Sequence, residues 1–304
     1  MSKGRDDELF FLVFDHRRSF RRLLGVGDEP SAADQERLED AKHLVWEGFL
    51  QAAERTAVPR SRLGVLVDEE LGAGVARAVA DAEVQLAMPV ERAGRRLLEL
   101  EHDEDWARHI DAFDPNLVKA LVRWNPGDDA ETKRAQAQLL SRVGAWLHQT
   151  HRRLLLELLV PASDDDLARV DGDHDRYDTE LRPELTRRAI REIRDLGIEP
   201  DVWQIEGVDE PADAEALAAM VRDEDHDGEV ALVLGDAEDE QRFEHRLRTT
   251  GSLPGIAGLA VGRPAWEQHL VAYQEGEVDR EVAVERIGAA FAHFIDVYIQ
   301  AVTS

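Results

Sequence analysis

The chain has no cysteine and only four lysines: Lys3, Lys42, Lys119 and Lys133. The absence of cysteine excludes disulfide bonds, thiolate metal sites and cysteine nucleophiles. Lysine and arginine together number 37, so arginine supplies the other 33 basic residues (37 minus 4). This usage fits codon bias in a GC-rich genome, and adaptation to high salt is the alternative. Either way, a lysine inside an apolar strand stands out.

Long apolar runs are also missing. No apolar segment of signal-peptide length follows the first basic residues, and the longest weakly charged stretch, residues 251–262, is too short to cross a bilayer. A formal net charge of −27 opposes binding to the phosphates of nucleic acids. These features predict a soluble cytoplasmic protein that binds neither nucleic acids nor membranes.

Short apolar runs alternate with segments of helical spacing along the whole chain. Eight runs have the length of buried strands: residues 9–15, 63–68, 84–91, 117–125, 154–161, 201–207, 229–235 and 256–262. Residues 163–182 are predicted as an acidic loop. Eight βα units in 304 residues indicate a single (β/α)₈ barrel domain spanning residues 1–304. The rival open sheet usually has fewer units and a glycine-rich turn after its first strand.

Polar residues at the C-terminal ends of these strands mark the candidate site, because barrel enzymes carry their active sites there. Lys119 and Glu157 interrupt otherwise apolar strands, which is costly unless they are paired or used. They form either a buried ion pair or part of an active-site floor, and the barrel favours the second. The other candidates are Asp15, Arg17, Glu91, Arg123, Gln204, Glu206, Gly235, Gly262 and Arg263.

Two kinds of ligand fit these strand ends. Gly262 and Arg263 follow the last strand, where backbone N–H groups, a helix N-terminus and a guanidinium can hold a phosphate. Five carboxylates could surround a divalent cation: Asp15, Asp68, Glu91, Glu157 and Glu206. Because Lys119 and several arginines at the same level neutralise them, we predict no metal and no cofactor.

Several long motifs resemble one known family. The motifs include FDHRRSF, LVDEELG, HIDAFDPNLVKALVRWNP, GIEPDVWQIEG and PGIAGLAVGR. They resemble the aldolase-like domain of unknown function that is fused behind the kinase in some 5-dehydro-2-deoxygluconokinases of inositol catabolism. That family is similar to the class I tagatose-bisphosphate and sulfofructose-phosphate aldolases. The resemblance covers residues 9–298.

The resemblance implies a barrel that cleaves a ketose phosphate through a Schiff base between a lysine and the substrate carbonyl. It implies that Asp15 contacts the substrate, that Glu157 is the acid–base residue and that Arg263 binds the phosphate. Lys119 matches the family's lysine on the fourth strand. The expected partner is therefore a small sugar phosphate. A homo-oligomer is left open.

Three departures from the family pattern lie at the predicted site. The family's Trp-Lys-Ile-Glu-Gly motif reads WQIEG at residues 203–207, so Gln204 replaces the Schiff-base lysine. The Gly-Arg-Gly after the seventh strand reads GDA at residues 235–237, and the Glu-Lys-Ser-Gly after the third reads ERAG at residues 91–94. An amide nitrogen is not nucleophilic, so Gln204 cannot form the imine.

Three hypotheses follow, ranked in this order. The first is a barrel that binds a sugar phosphate or a related carbonyl compound with altered catalysis or as a pseudoenzyme. The second is an active carbon–carbon lyase in which Lys119 is the nucleophile. The third is a metal-assisted lyase or isomerase that uses the strand-end carboxylates.

Overall fold

The predicted barrel is confirmed by a computed structural model, which describes residues 8–221, 230–235 and 240–303. Within these ranges eight parallel strands pair in chain order, and β1 also pairs with β8, which closes the barrel. The strands are β1 Leu9–Val13, β2 Leu63–Leu66, β3 Gln85–Pro89, β4 Leu117–Arg123, β5 Arg153–Leu159, β6 Val202–Glu206, β7 Val230–Gly235 and β8 Ile256–Val261.

Helices follow the strands and surround them. They are α1 Arg18–Leu23, α2 Ala32–Arg55, α3 Glu69–Ala78, α4 Trp106–Asp111, α5 Ala130–Gln149, α6 Asp164–Arg169, α7 His174–Arg176, α8 Arg182–Asp195, α9 Pro211–Val221, α10 Glu240–Thr250, α11 Arg263–Gln274 and α12 Arg280–Thr303. Across the described ranges, none combines the length and apolar character that a membrane span requires. The first residue of the predicted strand 229–235 lies outside the described residues.

The prediction of a loop at residues 163–182 is wrong. The segment contains α6, α7 and a π-helical turn over Tyr177–Leu181. Ser163 caps α6 through a reciprocal capping box with Asp166, and the Asp173 carboxylate accepts the backbone N–H groups of Asp175 and Arg176 in α7. The short polar side chains that suggested a loop therefore begin helices.

Two apolar clusters build the core. The larger one lies between the strands and the surrounding helices, whereas the smaller one contains strand residues alone and fills the barrel interior. Leu117 and Leu155 belong to the interior cluster. Side chains two positions apart on a strand share a face, so Lys119 and Glu157 also point into the barrel, one level nearer its C-terminal end.

A buried ion pair joins the ends of the first two strands. The ammonium of Lys42, on α2, lies 2.8 Å from Asp68 Oδ2 and donates to the carbonyl oxygens of Phe14 and His16. Asp68 also accepts the Leu71 N–H at 2.8 Å and so caps the N-terminus of α3. Asp68 is thereby held against α2 and is separated from the carboxylates inside the barrel.

The interior packing gives a stability test. A Cβ on Gly64 would lie 2.5 Å from the ring of Phe11, which is buried inside the barrel. We expect Gly64→Ala to lower the free energy of unfolding by about 1–3 kcal/mol through overpacking. Gly144→Ala is the matched control, because its Cβ meets no atom closer than 4.0 Å and alanine favours helix α5. Urea unfolding measures the free energy of unfolding of both variants. A Gly64→Ala variant as stable as the wild type would contradict the close packing of Phe11 on Gly64.

Candidate active site

A cavity of about 490 Å³ opens at the C-terminal end of the barrel. Eight predicted site residues line it: Asp15, Arg17, Glu91, Lys119, Arg123, Glu157, Gly235 and Arg263. Gln204, Glu206 and Gly262 do not line it. The fold therefore brings most of the predicted residues to one place, although they come from six different strand ends.

Lys119 lies at the centre of the cavity floor. Its Nζ is 3.0 Å from Asp15 Oδ2, 2.7 Å from Glu91 Oε1 and 2.7 Å from Glu157 Oε2, and its side chain is 3% exposed. The three contacts use all three donors of an ammonium group. Lys119 and Glu157 therefore form a buried ion pair, and the same pair is part of the cavity floor.

This surrounding holds Lys119 in its charged form. Burial disfavours the ammonium, but the negative charges of Asp15, Glu157 and Glu91 outweigh burial and raise the pKa of Lys119 well above its ordinary value. A lysine must lose its proton before it can attack a carbonyl. The arrangement therefore suppresses the nucleophile that the second hypothesis requires.

The carboxylates around Lys119 are not equivalent. Burial alone would raise the pKa of Asp15, but the charges of Lys119, His16 and Arg17 lower it to about 2. Burial raises the pKa of Glu157 despite its contact with Lys119, and the neighbouring charge of Asp15 adds to the effect. One ammonium cannot compensate three carboxylates, so Glu157 is the group most ready to hold a proton.

Arg17 supports the floor from the side. Its Nη2 donates to the Glu91 carbonyl oxygen at 2.8 Å and its Nη1 to Glu101 Oε2 at 3.0 Å. Glu91 in turn accepts the Leu121 N–H at 3.3 Å. Arg17 is buried, and two of its nitrogens bind the protein. The prediction that it contacts a ligand stays a prediction, while its visible role is to hold Glu91.

Arginines dominate the mouth of the cavity. Those that line it are Arg17, Arg18, Arg22, Arg92, Arg95, Arg123 and Arg263. Arg92 contacts Asp103 at 2.9 Å, and Arg123 donates to the Arg95 carbonyl oxygen at 3.0 Å. Sequence reasoning missed Arg18, Arg22 and Arg95 because they lie on helices and loops rather than on strand ends. Together they make a rim rich in guanidinium groups, several of which also pair with carboxylates such as Glu99 and Glu101.

Gln204 lies inside the barrel beside Glu157, its register partner on β5. It is fully buried, and neither its amide oxygen nor its amide nitrogen has a hydrogen-bond partner among the described residues. Glu206, two residues on, accepts the Val160 N–H and approaches Arg182. These two predicted site residues therefore lie beside the cavity without lining it. Asp236 and Ala237, the departure after β7, lie outside the described residues.

His16 is a cavity residue that sequence reasoning did not select. Burial lowers its pKa to about 4, against the opposing pull of Asp15, so the imidazole is neutral near pH 7. The available signal was its position directly after Asp15 in FDHRRSF.

The described residues contain two clusters with metal-ligand chemistry. One is Glu69 with His102 and His109, and the other is Glu240 with Glu244 and His293. The rings of His102 and His109 stack in parallel, with centroids 3.4 Å apart and planes at 4°. Imidazole lone pairs lie in the ring plane, so two stacked rings cannot both direct one at the same ion. In the second cluster Glu244 already binds Arg248 and His293.

The predicted ring of five carboxylates does not form either. Asp15, Glu91 and Glu157 meet at Lys119, whereas Asp68 binds Lys42 and Glu206 lies beside Arg182. The geometry thus favours an ammonium as the cation of this site over a metal ion.

Comparison with known proteins gives the family. The chain matches, over residues 1–302, the family DUF2090, described as an uncharacterized protein conserved in bacteria. The chain belongs to this family. No curated protein sequence matches it.

Solved structures of aldolases share the fold. A Schiff-base-forming fructose-1,6-bisphosphate aldolase is 14% identical, with 96% of each chain covered and a TM-score of 0.57. An archaeal fructose-1,6-bisphosphate aldolase, solved with its catalytic lysine bound to the carbinolamine intermediate, is 14% identical over 96% of this chain and 95% of that one, with a TM-score of 0.58. The Plasmodium falciparum fructose-bisphosphate aldolase is 11% identical over 95% and 89%, with a TM-score of 0.63. Identities this low show the fold alone.

Removing the ammonium of Lys119 tests whether it balances the charge of the three carboxylates at the cavity floor. We expect Lys119→Met to lower the free energy of unfolding by about 3–5 kcal/mol at pH 8, because three buried carboxylates lose their counter-charge. Without the ammonium their folded pKa values rise above the unfolded ones, so stability is lost as the pH rises and the deficit shrinks at pH 5.

Lys133→Met is the matched control. Its ion pair with Glu192 is partly exposed, so we expect a loss of less than about 1 kcal/mol at both pH values. Urea unfolding at pH 5 and pH 8 measures both variants. Losses of unfolding free energy that are equal in the two variants and independent of pH would contradict the charge balance around Lys119.

Proposed function

We propose that this protein is an aldolase-like barrel that binds a sugar phosphate or a related phosphorylated carbonyl compound without forming a Schiff base. The observation that carries the proposal is the contact of Lys119 with three carboxylates, since Lys119 is the one lysine that lines the cavity within the described residues. The sequence resemblance also implies a role in inositol catabolism, and this role is part of the same proposal.

The lost nucleophile supports this reading. Cleavage through an imine needs an amine that is free of its proton at working pH. Lys119 is held as an ammonium, and Gln204 occupies the strand-six position that the sequence resemblance gives to the nucleophilic lysine. Neither group can attack a carbonyl in this state.

The guanidinium-rich rim supports an anionic ligand. Guanidinium groups match phosphate geometry and remain charged at every relevant pH. A cavity of about 490 Å³ lies in the size range of small-molecule sites. On a chain with a formal net charge of −27, the concentration of arginines at this opening offers guanidinium donors that a phosphorylated ligand could bind in place of their present carboxylate partners.

Proton transfer is the altered catalysis that the floor fits. Glu157 has a raised pKa and lies 2.7 Å from Lys119, so its carboxylate can accept a proton from the ligand. Once Glu157 is protonated, Lys119 can turn its third N–H from Glu157 to a developing negative oxygen. Such a pair suits enolisation of a carbonyl compound, which requires no covalent intermediate.

The second candidate is a lyase that uses Lys119 as its nucleophile. The favouring observation is that Lys119 Nζ lies on the cavity floor within 2.7 Å of Glu157, a base that can take its proton. This route needs Lys119 to pass a proton to Glu157 first, because the ionised carboxylates otherwise keep the ammonium charged.

Borohydride trapping separates the two candidates. With dihydroxyacetone phosphate or 6-phospho-5-dehydro-2-deoxygluconate, we expect no covalent adduct on the wild-type protein by mass spectrometry. Gln204→Lys should form an adduct at residue 204, because it restores an amine at the strand-six position that the sequence resemblance gives to the nucleophilic lysine. Gln204→Met is the control that restores no amine. An adduct on Lys119 of the wild type would overturn the proposal and establish the lyase.

Ligand binding itself is tested at the rim. We expect Arg263→Ala to weaken binding of fructose 1,6-bisphosphate about tenfold or more, because one charge-assisted phosphate contact is lost. Arg55→Ala is the control, since Arg55 ends α2 away from the cavity. Isothermal titration calorimetry gives both affinities. Equal affinities for the two variants would show that the rim does not hold the ligand.

A further inference from the structure

His16 is held in one orientation at the wall of the cavity. Its ring packs edge-on against Trp266, with centroids 5.6 Å apart and planes at 66°, and Trp266 Nε1 donates to the Val13 carbonyl oxygen at 3.0 Å. The backbone carbonyl of His16 accepts from Lys42 at 2.8 Å. A Cβ at Gly262 would lie 3.4 Å from the His16 ring. The imidazole is thus fixed where β1 and β8 meet.

The two ring nitrogens have different surroundings. His16 Nδ1 is buried and has no hydrogen-bond partner among the described residues, while the ring as a whole lines the cavity. A proton on Nδ1 would be a buried donor without an acceptor, and such N–H groups are rare in proteins. A neutral imidazole carries one proton, so Nε2 is its favoured place. The tautomer with Nε2–H offers a donor toward the cavity.

Burial and nearby positive charges keep the ring neutral. Asp15 precedes it and directs its Oδ2 to Lys119, while Lys42 on α2 and Arg263 at the start of α11 add positive charge. Burial of the ring, helped by these cations and opposed by Asp15, lowers the pKa of His16 to about 4. An oxygen between His16 and Arg263 would meet a neutral donor and a cationic one together.

We infer that His16 is a ligand-binding residue that donates its Nε2–H to a carbonyl or phosphoryl oxygen of the ligand. The inference rests on the proposed function, because it requires a sugar phosphate or a related oxygen-rich ligand in the cavity. It adds a neutral donor to a site otherwise built of charged groups. A neutral donor binds an uncharged carbonyl oxygen or a phosphate oxygen without giving up its proton at neutral pH.

The tautomer is tested first, on the ligand-free protein. Long-range ¹H–¹⁵N NMR between pH 6 and pH 8, with His16 assigned from the spectrum of His16→Phe, should show a neutral ring protonated on Nε2. A ring protonated on Nδ1, or an imidazolium in this pH range, would overturn the inference.

Binding is tested next with fructose 1,6-bisphosphate as the probe. His16→Phe keeps the ring against Trp266 and removes the donor, so affinity should fall about tenfold, whereas His16→Gln keeps an N–H donor and should bind within about threefold of wild type. Melting temperatures and NMR spectra check that both variants fold. If the wild type binds the probe and His16→Phe binds it with the same affinity, this inference alone is overturned. Failure of the wild type to bind the probe or either phosphate used for trapping overturns the proposed function as well.

Discussion

A single ammonium group balances three carboxylates inside the barrel, and the arrangement of the site depends on that balance. Asp15, Glu91 and Glu157 come from the ends of β1, β3 and β5, and each contacts Lys119 on β4. None of the three could stay ionised in this interior without a partner, because buried charges are expensive unless paired. The excess of negative charge then leaves Glu157 as the group inclined to take up a proton.

The same balance governs what the site can do. An ammonium bound by three carboxylates is a strong hydrogen-bond donor and a poor nucleophile. The barrel shares its architecture with Schiff-base aldolases, but at 11–14% identity that likeness concerns the fold. Fold and chemistry are separable in barrels, since chemistry depends on a few strand-end side chains. Arginines at the rim and a neutral His16 on the wall are the groups that we propose to hold a phosphorylated ligand.

The sequence predicted the strands well because each buried strand is a short apolar run between helical segments. Lys119 and Glu157 were recognisable for a related reason, since a charge within such a run must be paired or used. The partners were harder to predict. Glu101 holds Arg17 across 84 positions of the chain, and Lys42 reaches Asp68 across 26. No local pattern encodes such contacts, which arise only when the strands close into a barrel.

The extent of the cavity was the other limit. Gln204 and Glu206 were selected because they stand at the end of β6, yet neither lines the cavity. The acidic segment after β5 was read as a loop because Ser and Asp favour both turns and helix caps. His16 was overlooked because its role depends on Trp266 and Gly262, which lie some 250 positions away in the chain.

The charge state of Lys119 tests the account most directly. With only four lysines in the chain, ¹³C–¹⁵N NMR of the side-chain amines can follow each one through a pH titration, with Lys119→Met identifying its signal. We expect the Lys119 amine to remain charged beyond the pH at which an ordinary lysine titrates. A Lys119 amine that loses its proton below about pH 9 would contradict the account, because it would be available as a nucleophile near neutral pH.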